Sequence, residues 1–212
     1  MAGGYTHLTL VRSALAKTMD MDGIDGVLAD WGHFAYMGGV SPDYPYLAMD
    51  DAWADLMHKG GTHRMIQAAL PQIFEEKRKN QNDVWQQKLA WLLGFVSHIV
   101  ADVTIHPVVN IKVGKYEENK TQHRVCEMNQ DVFVYNLVTG LDLHLADNMK
   151  TEILRCASWI SLNDVIKDIW RLGLEKAYGD APGSFQINKW NLAFLALIRT
   201  SEESGGIPIL GR

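Results

Sequence analysis

The stretch WLLGFVSHIVADVTIHPVV, residues 91–109, is almost wholly apolar, yet His98, Asp102 and His106 interrupt it at intervals of four. Side chains four positions apart in an α-helix lie on one face, because each residue turns the chain by about 100°. The pattern therefore predicts a buried helix with three ionisable groups on a single stripe. An unpaired carboxylate in such a helix costs several kcal/mol, and metal coordination would remove that cost.

The composition is that of an ordinary globular protein. Its 212 residues are 47% hydrophobic and 21% charged, which is enough for a sizeable core, and we expect one domain over residues 1–212. The formal net charge of −5 disfavours an electrostatic platform for nucleic acid or for an anionic membrane, although it leaves room for a local basic site. No CxxC or Cys/His finger spacing occurs, so thiol chemistry is not indicated.

The N-terminal sequence MAGGYTHLTLVRS lacks the basic region and the long apolar run of a secretory signal. We therefore expect a cytoplasmic protein. The longest apolar run is residues 91–109, and it carries His98 and Asp102 at its centre. Both side chains are costly in lipid, so we predict a buried core helix and no transmembrane segment.

Helical periodicity recurs along the chain, and no stretch shows convincing β alternation, so the sequence predicts an all-α fold. The predicted helices cover residues 6–19, 24–37, 50–58, 62–79, 84–106, 121–140, 150–157, 161–178 and 187–199. Two glycines and two prolines in GGVSPDYPY, residues 38–46, predict an ordered turn after the second helix. Pro107 predicts the end of the fifth helix, and the tail 201–212 is expected to be a loop.

A second candidate pair, His123 and Glu127, lies four residues apart on a later helix. Imidazole and carboxylate groups are the usual ligands of catalytic zinc. Together with His98, Asp102 and His106, this pair supplies enough ligands for two metal ions. A single buried histidine is more often a hydrogen-bonded core residue, and HxxxD or HxxxE pairs are common as surface salt bridges. The combination favours a metal cluster in a cleft between helices.

In their order along the chain, these residues resemble the zinc-dependent phospholipase C family, whose fold is shared with single-strand-specific zinc nucleases. The resemblance covers roughly residues 5–130. It rests on eight positions, which are His7, Asp43, His58, His98, Asp102, His106, His123 and Glu127. It implies a mostly helical single domain that holds two or three zinc ions in a cleft and hydrolyses phosphate esters.

The resemblance also implies a role for each position. The ligand sets would be His58, His98 and Asp102 for one zinc, and His106, His123 and Glu127 for a second. Asp43 would orient or deprotonate the attacking water. A third zinc would use His7 and Asp102 with the amine of the first residue, which would be Ala2 if Met1 were removed.

Three further histidines are weaker candidates. His63 is the alternative to His58, because it lies five residues further on, after a Gly-Gly pair that could redirect the chain. We favour His58, which stands at the end of a predicted helix, fifteen residues after Asp43. His33 and His144 have no partner at ligand spacing, so we expect them to be structural or exposed.

The residues leave the substrate open, because one zinc arrangement serves several phosphoesters. The first interpretation is a phospholipase C-like phosphodiesterase that acts on a phospholipid or a small-molecule phosphoester through a metal-activated water. No single helix is rich in both basic and large apolar residues for membrane docking. The alternatives are a zinc hydrolase of a nucleotide or another soluble phosphoester, and a non-catalytic metal-binding scaffold. Nucleic acid is not expected as a partner, and the oligomeric state is left open.

Overall fold

The computed structural model describes residues 3–18, 23–79, 83–143, 147–158, 160–179 and 183–203. The helices in these ranges are α1 Gly4–Lys17, α2 Asp25–Val40, α3 Tyr44–Leu47, α4 Asp51–His58, α5 His63–Arg78, α6 Val84–Val113, α7 Lys120–Thr139, α8 Asp147–Leu154, α9 Asp164–Tyr178 and α10 Ile187–Glu203. A 3-10 turn, Ser41–Asp43, joins α2 to α3. No strand forms in these ranges, where Ala157 and Leu162 make an isolated bridge. The predicted all-α fold is confirmed.

Helix α6 contains the stretch 91–109 and packs against α1, α2, α5, α7 and α9. Its Trp91 is fully buried and lies 5.9 Å from the ring of Trp170 on α9. Lys88, one turn earlier, is also buried and donates to Asp168 of α9 at 2.7 Å. The apolar face of α6 therefore forms the centre of the core, as its sequence predicts.

Helices α2 and α6 approach each other through glycines. A Cβ atom on Gly38 would overlap the carbonyl oxygen of Trp91, and one on Gly94 would overlap the carbonyl oxygen of Ala35. The prediction that the glycines of residues 38–46 end the second helix is therefore wrong. Helix α2 continues through them to Val40, because they allow close contact with α6. The prolines of this stretch are instead the second residues of the 3-10 turn and of α3, in the first turn, where a proline needs no backbone N–H.

Pro107 does not end α6, which corrects a second prediction. The helix continues to Val113 and ends at Gly114, whose φ of 85° suits glycine. Pro107 removes one backbone hydrogen bond, but Val109 beyond it is 2% exposed, so apolar burial favours the continued helix. At the other end of the chain, α10 extends to Glu203, into the predicted loop. Residues 204–212 lie outside the described residues.

By length and composition alone, α6 could cross a membrane. Its most apolar window has a mean hydropathy of 1.6, and 44% of that window is buried against the rest of the chain. It is the one helix with this property among the described residues. Core helices of globular proteins share it, so the property by itself is weak evidence for a membrane span.

A buried carboxylate joins α1 to α7. Asp131 of α7 is 8% exposed and accepts hydrogen bonds from the Thr6 backbone N–H at 2.6 Å and from Thr6 Oγ1 at 2.8 Å. It thereby satisfies a backbone N–H in the first turn of α1 that has no partner within that helix. Burial raises the pKa of Asp131 to about 6, although the hydrogen bonds from Thr6 oppose the shift.

Replacement of Gly94 by alanine should destabilise the fold by about 2–3 kcal/mol, because the added methyl group separates α2 from α6. Gly26→Ala is the matched control, since a Cβ atom at this helical position of α2 has no neighbour within 4 Å. It should be neutral or should add up to about 1 kcal/mol of stability. Urea unfolding of both variants tests this, and an undiminished midpoint for Gly94→Ala would contradict the close approach of the helices.

The raised pKa of Asp131 predicts a pH-dependent stability. Between about pH 4 and pH 6 the folded chain holds a proton that the unfolded chain releases, so stability falls as the pH rises through this range. Relative to Asp131→Asn, the wild-type protein should gain about 2 kcal/mol as the pH falls from about 6 to about 4. Urea unfolding of both proteins across this range measures the difference, and a constant difference would refute the shift.

Candidate metal centre

Five predicted site residues are brought together from four parts of the chain. His7 comes from the first turn of α1, Asp43 from the 3-10 turn, His58 from the last residue of α4, and His98 and Asp102 from one face of α6. All five side chains are at most 10% exposed. The cluster therefore lies between helices, as the sequence predicts.

The Asp102 carboxylate lies at the centre of the cluster. Its Oδ1 is 3.4 Å from Nε2 of His7 and 3.5 Å from Nε2 of His106. Its Oδ2 is 3.6 Å from Nε2 of both His58 and His98. Each carboxylate oxygen thus faces a different pair of imidazoles, an arrangement that suits a carboxylate shared between two cations.

Backbone carbonyls orient two of these imidazoles. Nδ1 of His58 lies 2.8 Å from the carbonyl oxygen of Ala54, and Nδ1 of His98 lies 2.9 Å from that of Gly39. A carbonyl oxygen can only accept, so each Nδ1 carries the proton. In the neutral rings, Nε2 is then left with a free lone pair that points into the cluster.

These lone pairs converge on other acceptors. Nε2 of His58 lies 3.1 Å from Nε2 of His98 and 3.2 Å from Oδ1 of Asp43. Acceptor atoms at these distances repel one another unless a cation lies between them, either a metal ion or a proton on a ring nitrogen. The residues fit a metal ion in two overlapping groups, Asp43 with His58 and His98, and His7 with His98 and Asp102.

The pKa values within the cluster are shifted by burial and by the contacts between its imidazoles and carboxylates. Burial disfavours ionised carboxylates here, but the neighbouring histidines outweigh burial and hold the pKa of Asp43 and of Asp102 below the ordinary value. Burial likewise disfavours a charged His98, yet the two carboxylates raise its pKa. The pKa of His7 is lowered by burial and by His98, which stacks on it at 3.8 Å. The carboxylates are therefore anionic and attract cations.

Within the described ranges, two histidines have ring nitrogens that are buried without a hydrogen bond. His7 is 1% exposed, and neither of its nitrogens makes a hydrogen bond to a described residue. Its Nε2 reaches Asp102 only at 3.4 Å, without hydrogen-bond geometry. Nε2 of His106 is also buried and makes none. Unsatisfied buried nitrogens of this kind are costly, and a bound metal ion would satisfy them.

The predicted ligands on α7 are buried, but they do not join the two groups. His123 and Glu127 are each 2% exposed, one turn apart. Nε2 of His123 donates to the carbonyl of Gly114 at 2.7 Å, which leaves Nδ1 as its acceptor. Burial raises the pKa of Glu127, and Arg124, 3.8 Å away, opposes the shift. The α7 pair is therefore buried but lies outside the two groups.

A small cavity opens at the cluster. Its volume is about 190 Å³, and its walls include His58, Asp102 and His106 on the polar side. Ile99, Val103 and Pro107 of α6 form the apolar side. The cavity therefore offers metal-compatible groups beside an apolar wall.

The remaining histidines lie elsewhere. His63 is exposed at the start of α5, whereas its alternative, His58, lies in the cluster. His33 is 9% exposed and packs against the ring of Phe34 at 4.8 Å, with no contact to the site. His144 and Ala2, the residue expected to supply the N-terminal amine, lie outside the described residues.

Asp131, which fixes the helix turn that carries His7, is a supporting residue that the sequence-based prediction missed. A signal for it was present, because His123, Glu127 and Asp131 recur at intervals of four on α7, just as His98, Asp102 and His106 do on α6. Both helices therefore carry a polar stripe.

Comparison with known proteins agrees with this arrangement. The family model described as zinc dependent phospholipase C matches residues 6–180, which extends beyond the predicted range of 5–130 into α9. No curated protein gives a significant match. No solved structure gives one either. The match covers most of the chain and all eight predicted site positions, and the chain therefore belongs to the zinc dependent phospholipase C family.

Proposed function

We propose that the protein hydrolyses phospholipid phosphodiesters in the manner of a zinc-dependent phospholipase C, and that it releases a phosphomonoester and an alcohol. The observation that carries the proposal is the convergence of two oriented imidazole nitrogens, on His58 and His98, with the carboxylates of Asp43 and Asp102. Membership in the family supports both the metal and the reaction class.

The proposed ligand sets are those that the family resemblance implies; the two groups in the structure support the first and the third, and His123 and Glu127 lie outside both groups. They are His58, His98 and Asp102 for the first zinc, His106, His123 and Glu127 for the second, and His7 with Asp102 for a third. The two oxygens of Asp102, which face different imidazole pairs, support its role as a shared ligand. The buried, unsatisfied nitrogens of His7 and His106 support theirs.

When bound, zinc acts as a Lewis acid that lowers the pKa of water and offsets charge on the phosphoryl oxygens. Asp43 would orient the attacking water and accept its proton, since its carboxylate is ionised and lies 3.2 Å from His58 Nε2. The apolar wall formed by Ile99 and Val103 would exclude bulk water from one side of the reacting phosphate.

Metal content of the full-length chain tests the ligand assignment. Elemental analysis should find two or three zinc ions per chain, and Asp102→Asn should lose at least one, because the amide removes a shared anionic ligand. Hydrolysis of monomeric dihexanoyl phosphatidylcholine should fall by more than the ~10–100-fold that changes outside the ligand shell cause. The control is Asp30→Asn, an exposed aspartate of α2. A chain that neither contains nor takes up zinc would contradict the proposal.

The role of Asp43 can be separated from that of a ligand. Asp43→Asn leaves the proposed ligands His58, His98 and Asp102 in place, although Asp43 lies in one of the two groups that fit a metal ion. The variant should therefore keep the wild-type zinc content and lower kcat by ~10²–10⁴-fold, because a general base is lost while the metal ions stay. Zinc analysis and steady-state kinetics on the same short-chain lipid measure both quantities. If Asp43→Asn loses zinc as Asp102→Asn does, Asp43 is a ligand and the proposed role is wrong.

A further inference from the structure

Helices α6 and α7 together present most of the large apolar side chains that are exposed among the described residues. They are Val100, Val103, Val108 and Ile111 of α6, and Val125, Met128, Val132, Phe133, Leu137 and Val138 of α7, which we call the apolar ridge. Each is at least 42% exposed, and Ile111 reaches 88%. Apolar side chains left exposed in this number on two neighbouring helices indicate an interaction site.

The two helices form one surface rather than two separate stripes. A groove of about 1040 Å³ lies between them, with Val108 on one side and Val125, Val132 and Phe133 on the other. Helix α7 carries its polar stripe inward and its apolar residues outward, so its exposed face has no other part of the described chain to cover it.

The charged residues of α6 and α7 indicate which kind of partner the apolar ridge suits. From residue 99 to the end of α6, and throughout α7, the carboxylates are Asp102, Glu127 and Asp131, and all three are buried. The solvent-facing charges of the same segments are positive, on Lys112 and Lys120. Exposed anions, among them Glu117 and Glu118, lie beyond the helix ends. In a chain of net charge −5, the two helical segments therefore carry no exposed carboxylate within their described residues, and their surface suits phosphate headgroups.

The ridge is continuous with the candidate metal centre. Val103 belongs to the ridge and also lines the cavity that holds Asp102 and His106. A lipid whose acyl chains contact the ridge would therefore place its phosphate close to the cavity mouth. Full insertion of α6 would instead carry His98 and Asp102 into hydrocarbon, which is costly. Docking in the interfacial plane avoids this cost.

We propose that the apolar ridge docks onto the surface of a phospholipid bilayer and delivers lipid to the metal centre. This inference rests on the proposed function and names the physical form of its substrate. The apolar side chains would enter the acyl boundary, while Lys112 and Lys120 would contact headgroup phosphates.

Vesicle binding of matched phenylalanine variants tests the ridge. Phe133 on α7 is 66% exposed, and Phe74 on α5, away from the ridge, is 59% exposed. Phe133→Glu should weaken co-sedimentation with vesicles of equimolar phosphatidylcholine and phosphatidylglycerol by at least about tenfold, because it removes apolar contact and adds an anion. Phe74→Glu should bind as the wild type does. Because both positions are exposed, both variants should fold, and thermal unfolding checks this.

Kinetics separate docking from chemistry. The ratio of vesicle hydrolysis to hydrolysis of monomeric dihexanoyl phosphatidylcholine should fall at least about tenfold in Phe133→Glu and should stay at the wild-type value in Phe74→Glu. Equal vesicle binding by both variants and the wild type would overturn the docking surface. So would a wild-type dimer that Phe133→Glu dissociates and that binds no vesicles, since a second copy would then cover the ridge. If the wild type binds vesicles but cleaves no phosphodiester, the proposed function fails while the docking surface stands.

Discussion

The structure depends on one electrostatic constraint, which is the cost of burying the Asp102 carboxylate in the most apolar helix of the chain. Four imidazoles surround this carboxylate and would offset the cost together with a cation held among them, and they come from α1, α4 and two turns of α6. Helices distant in sequence must therefore meet at one point of α6. The core packs around that requirement, since a misplaced helix would leave the carboxylate or an imidazole unsatisfied.

Close packing of α2 on α6 makes this meeting possible. The backbones touch where Gly38 faces Trp91 and Gly94 faces Ala35, a contact that a side chain at either glycine would prevent. The 3-10 turn that follows α2 then places Asp43 beside His58. Helix packing and the geometry of the site are thus set by the same few residues.

The sequence predicted the helices and much of the cluster, because period and spacing are local properties. The predicted ends of two helices were wrong because tertiary contacts determine them. Helix α2 continues through Gly38 because α6 requires a small residue there, and α6 continues through Pro107 because Val109 is buried. The outward apolar face of α7 was equally hidden, since periodicity reveals two faces without telling which one is buried. A cytoplasmic location and a single domain over residues 1–212 stay predictions.

The carbonyl groups that fix the tautomers have a thermodynamic consequence. Gly39 belongs to the last turn of α2, and Gly114 follows the end of α6, so the imidazoles of His98 and His123 are held by carbonyls that helix ends leave unpaired. These acceptors exist only once the helices have formed. Metal affinity and folding free energy are therefore linked, and an ion that binds only this arrangement stabilises the whole helical assembly by mass action. Folding, in turn, fixes the orientation of these ligands before an ion arrives.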